Sequence, residues 1–258
     1  MKRYIPFILL YLLLTPLDSH SQGPGASSLR PAPEYERAQS LLPDISSQNS
    51  ESSAKIRKAV TDPSWYVRGK AALALGKLDE KNALVDLSNL LKDESWYVRI
   101  CALEALAEKR DPAAGAAILP LLESSDSFIV ARAAEALGEI NYTLSTESLI
   151  KLTGHDDENV KRSAAIALGT MKSKSAYEAL LVILKDDSPG VRAAAAGGLG
   201  RMGDVRAEPL IRESLKEAGD NAWVFAEALY RLGNREYLNL LTAALKNVLM
   251  LKFPEVFH

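Results

Sequence analysis

Written out with a 31-residue period, the chain resolves into columns of apolar positions. One column reads Val67, Val98, Ile129, Val160, Val191, and four residues on it reads Ala71, Ala102, Ala133, Ala164, Ala195. Next come Leu75, Leu106, Leu137, Leu168, Leu199, each followed by Gly76, Ala107, Gly138, Gly169 or Gly200. An earlier column reads Ile56, Leu87, Ile118, Leu149, Leu180, Ile211, and no gap is needed from residue 56 to about 211. Within a unit the spacing is helical: Val67, Ala71, Ala74, Leu75 and Leu78 fall on one face of an α-helix. Leu87, Leu90 and Leu91 make a second apolar face upstream, so each unit is predicted to be two helices. Asp62 and Pro63 read as cap and first residue of a second helix. Asp93 takes the same part, and Ser188-Pro189 does so two positions later.

Neither helix can bury its stripe alone. Stacking successive pairs buries both stripes in one continuous core, and the recurring alanines let neighbouring helices approach closely. The predicted fold is all-α: a right-handed α-solenoid of about six stacked helix pairs over residues 52–237. In the sixth unit Ala228, Leu229 and Leu232 fit the columns with a one-residue deletion, and residues 238–258 are expected to supply a capping helix and tail.

The stretch Asp62-Pro-Ser-Trp-Tyr-Val-Arg-Gly-Lys-Ala-Ala-Leu-Ala-Leu-Gly76 resembles the HEAT-like repeat of the phycobilisome-lyase type. So does Asp93 to Ala107, and Asp186 to Gly200 keeps the Asp, Val-Arg, Ala and Leu-Gly of the motif. The resemblance covers roughly residues 52–235. It implies a solenoid whose second helices line a concave surface, in a functionally broad family. Two units depart from the pattern, with Val130 in the place of Arg68, Arg99 and Arg192, and Lys161 keeping only the charge.

The N-terminus has a different pattern. Lys2 and Arg3 precede an apolar run from Tyr4 to Leu17, followed by polar Asp18 to Ser21. This is the layout of a signal peptide over residues 1–21, cut after Ser21. The apolar run falls short of the ~20 residues of a membrane span, so the mature chain is expected to be exported, periplasmic or secreted, with no membrane insertion. Residues 22–51, rich in Pro, Ser and Gly, read as a flexible linker with a short helix at 34–42.

Composition narrows the function. The balance of 31 Lys+Arg against 33 Asp+Glu gives a net charge of −2, and nothing in it would drive binding to nucleic acid. The single cysteine, Cys101, excludes a disulfide scaffold,. Aromatics are only 7% of the chain, yet Trp65, Tyr66, Trp96, Tyr97 and Phe128 fall in three consecutive units at the start of the second helices. Tyr and Trp are favoured interface anchors, which makes this cluster a candidate partner-binding strip. On the implied concave face Lys70, Cys101 and Arg132 share one column, and Glu104 and Glu135 share the next. Their blander reading is a solvated mixed-charge surface with a buried structural thiol. The pairs Asp62/Arg68, Asp93/Arg99 and Asp186/Arg192 read mainly as loop bridges and caps.

Signs of catalysis are few. The histidines are His20, His155 and His258, too few for a histidine-rich metal site. The GxGxxG match at Gly198–Gly203 falls at a helix end inside the repeat column rather than after a strand. No cofactor, metal or catalytic residue is assigned. The chain is read as an exported, non-enzymatic scaffold that binds a protein or peptide partner. The alternatives are a lyase-like tetrapyrrole handler and a structural subunit of an envelope complex. Placing Ala133 in the seam between helices has a consequence. Ala133→Leu should overpack it and lower stability by about 1–3 kcal/mol, measured by urea unfolding.

Overall fold

A computed structural model describes residues 33–41, 49–78 and 82–244. The signal peptide read at 1–21, most of the 22–51 linker and the end of the 238–258 tail lie outside the described residues. The helices run in chain order as α1 (Pro33–Gln39), α2 (Ser50–Ala59), α3 (Trp65–Lys77), α4 (Ala83–Leu90), α5 (Trp96–Lys109), α6 (Gly115–Ile118) and α7 (Ser127–Glu139). They continue as α8 (Thr146–Leu152), α9 (Glu158–Thr170), α10 (Tyr177–Ile183), α11 (Pro189–Met202), α12 (Glu208–Leu215) and α13 (Ala222–Arg231), and residues 238–244 are helical as well. Among the described residues there is no strand, and no helix is long and apolar enough to cross a membrane.

The fold is an α-solenoid. From α2 onward, even-numbered helices are the first of each pair and odd-numbered ones the second. The 31-residue columns are its core: Ile56, Leu87, Ile118, Leu149, Leu180 and Ile211 are fully buried, as are Ala71, Ala102, Ala133, Ala164 and Ala195. First helices are short and partly irregular. The first helix of the third unit, α6, is a single turn between two 3-10 segments, the second of which carries Pro120, a residue with no N–H for an α-helical bond,.

Second helices pack on one another along the stack, whereas first helices contact chiefly the second helix of their own unit. The close approach is set by the glycine column. A Cβ on Gly76 would stand 2.9 Å from Ala105 Cα, one on Gly138 2.6 Å from Ala167 Cα, and one on Gly200 2.5 Å from Ala228 Cα. On Gly169 it would collide with the backbone of Gly198. Each partner lies 29 residues on, except Ala228, which lies 28 on, so the one-residue deletion in the sixth unit preserves the same contact. The second helices, where the small residues meet, form the closely packed side of the stack, the side that the repeat motif implies as its inner face.

The start of the second helices differs from the sequence-based expectation. Helices α3 and α5 begin at Trp65 and Trp96, with Ser64 and Ser95 as caps whose side chains make no capping bond. Asp62 and Asp93 sit two residues before the cap and accept the backbone N–H of Ser64 and Ser95 at 2.8 and 2.9 Å. Pro63 stiffens that turn instead of opening the helix. In α7 and α9 the aspartate itself is the cap: Asp126 and Asp157 each accept two backbone N–H groups of the first turn. The short helix expected at 34–42 forms as α1, but its setting differs from the expectation. It lies within the stretch read as linker but docks on α3, with Ala38 and Leu41 buried. It forms the second helix of a half-unit at the N-terminal end.

The seam predicts an unequal response to glycine substitution. Gly138→Leu should cost on the order of 1–3 kcal/mol, because the atom in its way is backbone. Gly154→Ala, whose Cβ meets nothing nearer than 3.6 Å, should unfold at the urea concentration of the parent.

Candidate functional site

The charges nearest the helix starts are bound into the structure. Arg68 makes a bidentate pair with Asp93 of the next unit, Nε to Oδ2 at 2.8 Å and Nη2 to Oδ1 at 2.9 Å. Arg37 pairs with Asp62 in the same way at 2.9 and 3.0 Å, and Lys161 Nζ meets Asp186 at 2.6 Å. The spacing is always 25 residues. Each link therefore ties one second helix to the loop of the following unit. The pairing expected within a unit is thus corrected. There the arginine meets backbone: Arg68, Arg99 and Arg192 each donate to the carbonyl of Asp62, Asp93 or Asp186 at 2.8–3.0 Å. The ladder breaks in the middle, where Ser124, Val130 and His155 occupy its columns. Val130 is buried against Val160 there, while Ser124 and His155 keep the turn by accepting the N–H of Asp126 and Asp157.

Beside this ladder runs a line of rings. Tyr66 stacks on Tyr97 with centroids 6.4 Å apart, and Tyr35 stacks on Tyr66 at 6.3 Å. Trp65 meets Tyr97 edge-on at 5.1 Å, and Trp96 meets Phe128 edge-on at 6.2 Å. Such pairs are favourable beyond their buried area. The five aromatic candidates are thus brought together, and Tyr35 on α1 adds a sixth ring one period before Tyr66. Gly69 makes the nesting possible, since any Cβ there would collide with the Tyr97 ring. Tyr66 and Tyr97 are half-buried between units, but Tyr35 is exposed and Trp65, Trp96 and Phe128 stay 51%, 56% and 53% exposed. Lys70 Nζ lies 5.4 Å from the Tyr66 ring centre, a cation–π contact.

The other candidates lie farther along the inner face. Arg132 bridges Glu104 of the preceding unit at 2.9 Å and Glu135 of its own helix at 2.6 Å, and Ser163 donates to Glu135 at 2.8 Å. Arg132, Glu104 and Glu135 line an open groove of about 310 Å³ with Glu108, Arg110 and Glu139. Desolvation in the groove, and next Glu135, hold the Glu139 carboxyl above its ordinary range against the pull of Arg132 and Arg110. Cys101 is buried beside Tyr97, and burial pushes its thiol up to about 11, so it is an unreactive core residue. Among the described residues no cluster of three or more His, Cys, Asp or Glu is placed to hold a metal.

A sequence profile of HEAT repeats matches residues 84–157 and again 146–224. No curated protein matches the chain significantly. Among solved structures, the chain is similar to the complex of CpcE and CpcF of phycocyanin lyase from Nostoc sp. PCC7120. The identity is 20% and the TM-score 0.53, with 88% of this chain and 99% of that chain covered. It is also similar to an engineered protein, 21% identical with a TM-score of 0.51, covering 72% of this chain and 99% of the other.

The ion ladder makes stability depend on acid. Burial opposes the charge on Asp93, but hydrogen bonds from Arg68 and the Ser95 N–H and the charges of Arg68 and Arg99 outweigh it, so its carboxyl is held below the ordinary range. A carboxyl lowered on folding adds stability above its unfolded pKa, about 3.9, and that stability is lost as pH falls through the folded value. Asp93→Asn should therefore destabilise at neutral pH, on the order of 2 kcal/mol. The gap to the parent should close as unfolding is measured at pH values below the ordinary aspartate range.

Proposed function

The chain belongs to the HEAT-repeat family, and on that premise we propose that it is an exported, non-enzymatic scaffold that holds a protein or peptide partner on its aromatic strip. The observation that carries this reading is the row of half-exposed rings, Trp65, Trp96 and Phe128, seated on stacked tyrosines. Large apolar side chains left in water on a rigid support mark an interaction site. The support is fixed before binding, because Gly69 and the helix seam hold the rings in register, and a preformed surface loses little entropy on association. Lys70, Arg132, Glu104 and Glu135 on the same inner face would set the orientation of the partner rather than its affinity. Export is supported by the charged start, apolar core and polar end of residues 1–21.

The test is capture from the periplasmic or extracellular fraction with crosslinking. A protein partner should co-purify with the parent. The double variant Trp65→Ala plus Trp96→Ala should lose it, each ring contributing roughly 30-fold in affinity, while the helical circular dichroism is retained. Capture that survives the double variant would remove the strip from the function. Colour, or a bound small molecule in native mass spectrometry, would replace the scaffold with a tetrapyrrole handler.

A further inference from the structure

At the C-terminal end the inner face changes character. On α11 the residues Ala193, Ala194 and Gly197 offer no side chain beyond a methyl group, and Arg201 follows one turn after Gly197. The Arg201 guanidinium folds back into the notch. Its Nη1 and Nη2 lie 3.8 Å from where a Gly197 Cβ would stand, and Val224 of α13 closes the other side at 3.4 Å from that point. Arg201 Nε is buried without a hydrogen-bond partner, and the side chain makes no ion pair among the described residues. The carboxylate that faces it, Glu227, is already engaged, accepting from Arg231 Nε at 2.7 Å. The one acid nearby is thus held by Arg231 and not by Arg201. An arginine carries five donors and stays charged, and a desolvated charge with no partner is costly. Burial most of all disfavours its charged form, the Glu227 charge opposes this and Arg231 adds to it, and an added anion would favour the charge.

We propose that the Arg201 notch on α11 is a binding site for a carboxylate, supplied by an acidic side chain or terminus of a peptide or by a small organic acid. Gly197 puts no side chain beside the two Nη atoms, whose N–H groups can meet two carboxylate oxygens in parallel. Two units earlier the same column holds Glu139, so the inner face carries opposite charge at two points along the stack. The site does not depend on the aromatic strip.

The experiment follows the Nε–Hε resonance of Arg201 in arginine-labelled protein during titration with acetate, with chloride at matched ionic strength as control. A saturable shift with acetate, absent with chloride and absent at the paired Arg231, is expected. In Arg201→Gln, acetate affinity, read from the acetate-dependent rise in thermal midpoint, should fall roughly tenfold or more. The Trp65→Ala plus Trp96→Ala variant should respond like the parent. An acetylated aspartyl peptide binding more tightly than acetate identifies a peptide source, and equal binding identifies a free acid. A shift that follows chloride equally, a preference for inorganic phosphate, or a thermal response unchanged in Arg201→Gln would overturn the assignment.

Discussion

The structure depends on how closely one second helix can approach the next. Gly76, Gly138, Gly169 and Gly200 each face the backbone of the following helix, and no room remains there for a side chain. That contact sets the spacing of the stack, and the spacing sets the rest. First helices contact chiefly the second helix of their own unit. The seam turns inward, and leucines and valines flank it in fixed columns. A repeat unit in such a stack has no core of its own, so its stability is largely that of its interfaces. The abundance of alanine follows directly, because a seam this tight takes small residues at most of the positions that touch it.

Spacing alone does not fix the register of a loop against its neighbour. The 25-residue ladder of Arg37–Asp62, Arg68–Asp93 and Lys161–Asp186 does this, since each cation reaches across to the loop that joins the two helices of the next unit. Arg68 is held further, because its Nη1 also donates to the loop carbonyls of Asp62 and Pro63. Where the ladder is interrupted, the exchange is matched. Val130 replaces the cation as His155 replaces the anion, and an apolar contact with Val160 takes over. No buried charge is left without its partner at that step, which is the condition under which losing an ion pair costs little.

The fold was legible from the columns because a period of 31 over five units allows few other readings. What the sequence concealed were relations between units. The charge pairs were read along the chain, within a motif, although their partners stand 25 residues away and the period alone does not show which of two aspartates an arginine meets. The helix starts shifted for a related reason: an aspartate two residues before a serine can brace the turn without capping the helix. Helix α1 was set apart by the prolines and serines around it. Tyr35 and Arg37 stand one period before Tyr66 and Arg68, a signal that was present but rested on only two positions. The aromatic strip itself was found, short of its first ring.

Periodic positions in this chain answer to stacking, so the positions that break the period hold the information a partner could read. The aromatic column makes the case. It runs Tyr35, Tyr66, Tyr97, Phe128 and then Asn159 and Gly190, and the last two units stack as the earlier ones do. Helix packing therefore does not require a ring at this position. Three of the rings' neighbours and members remain half in water, which a merely space-filling role would avoid. The column three turns on behaves alike, passing from Glu108 and Glu139 through Thr170 to Arg201 without disturbing the seam. Both columns lie on the one face that the close approach of the second helices leaves free. The constraint that makes the molecule uniform along its seam is thus what allows its inner face to differ from end to end.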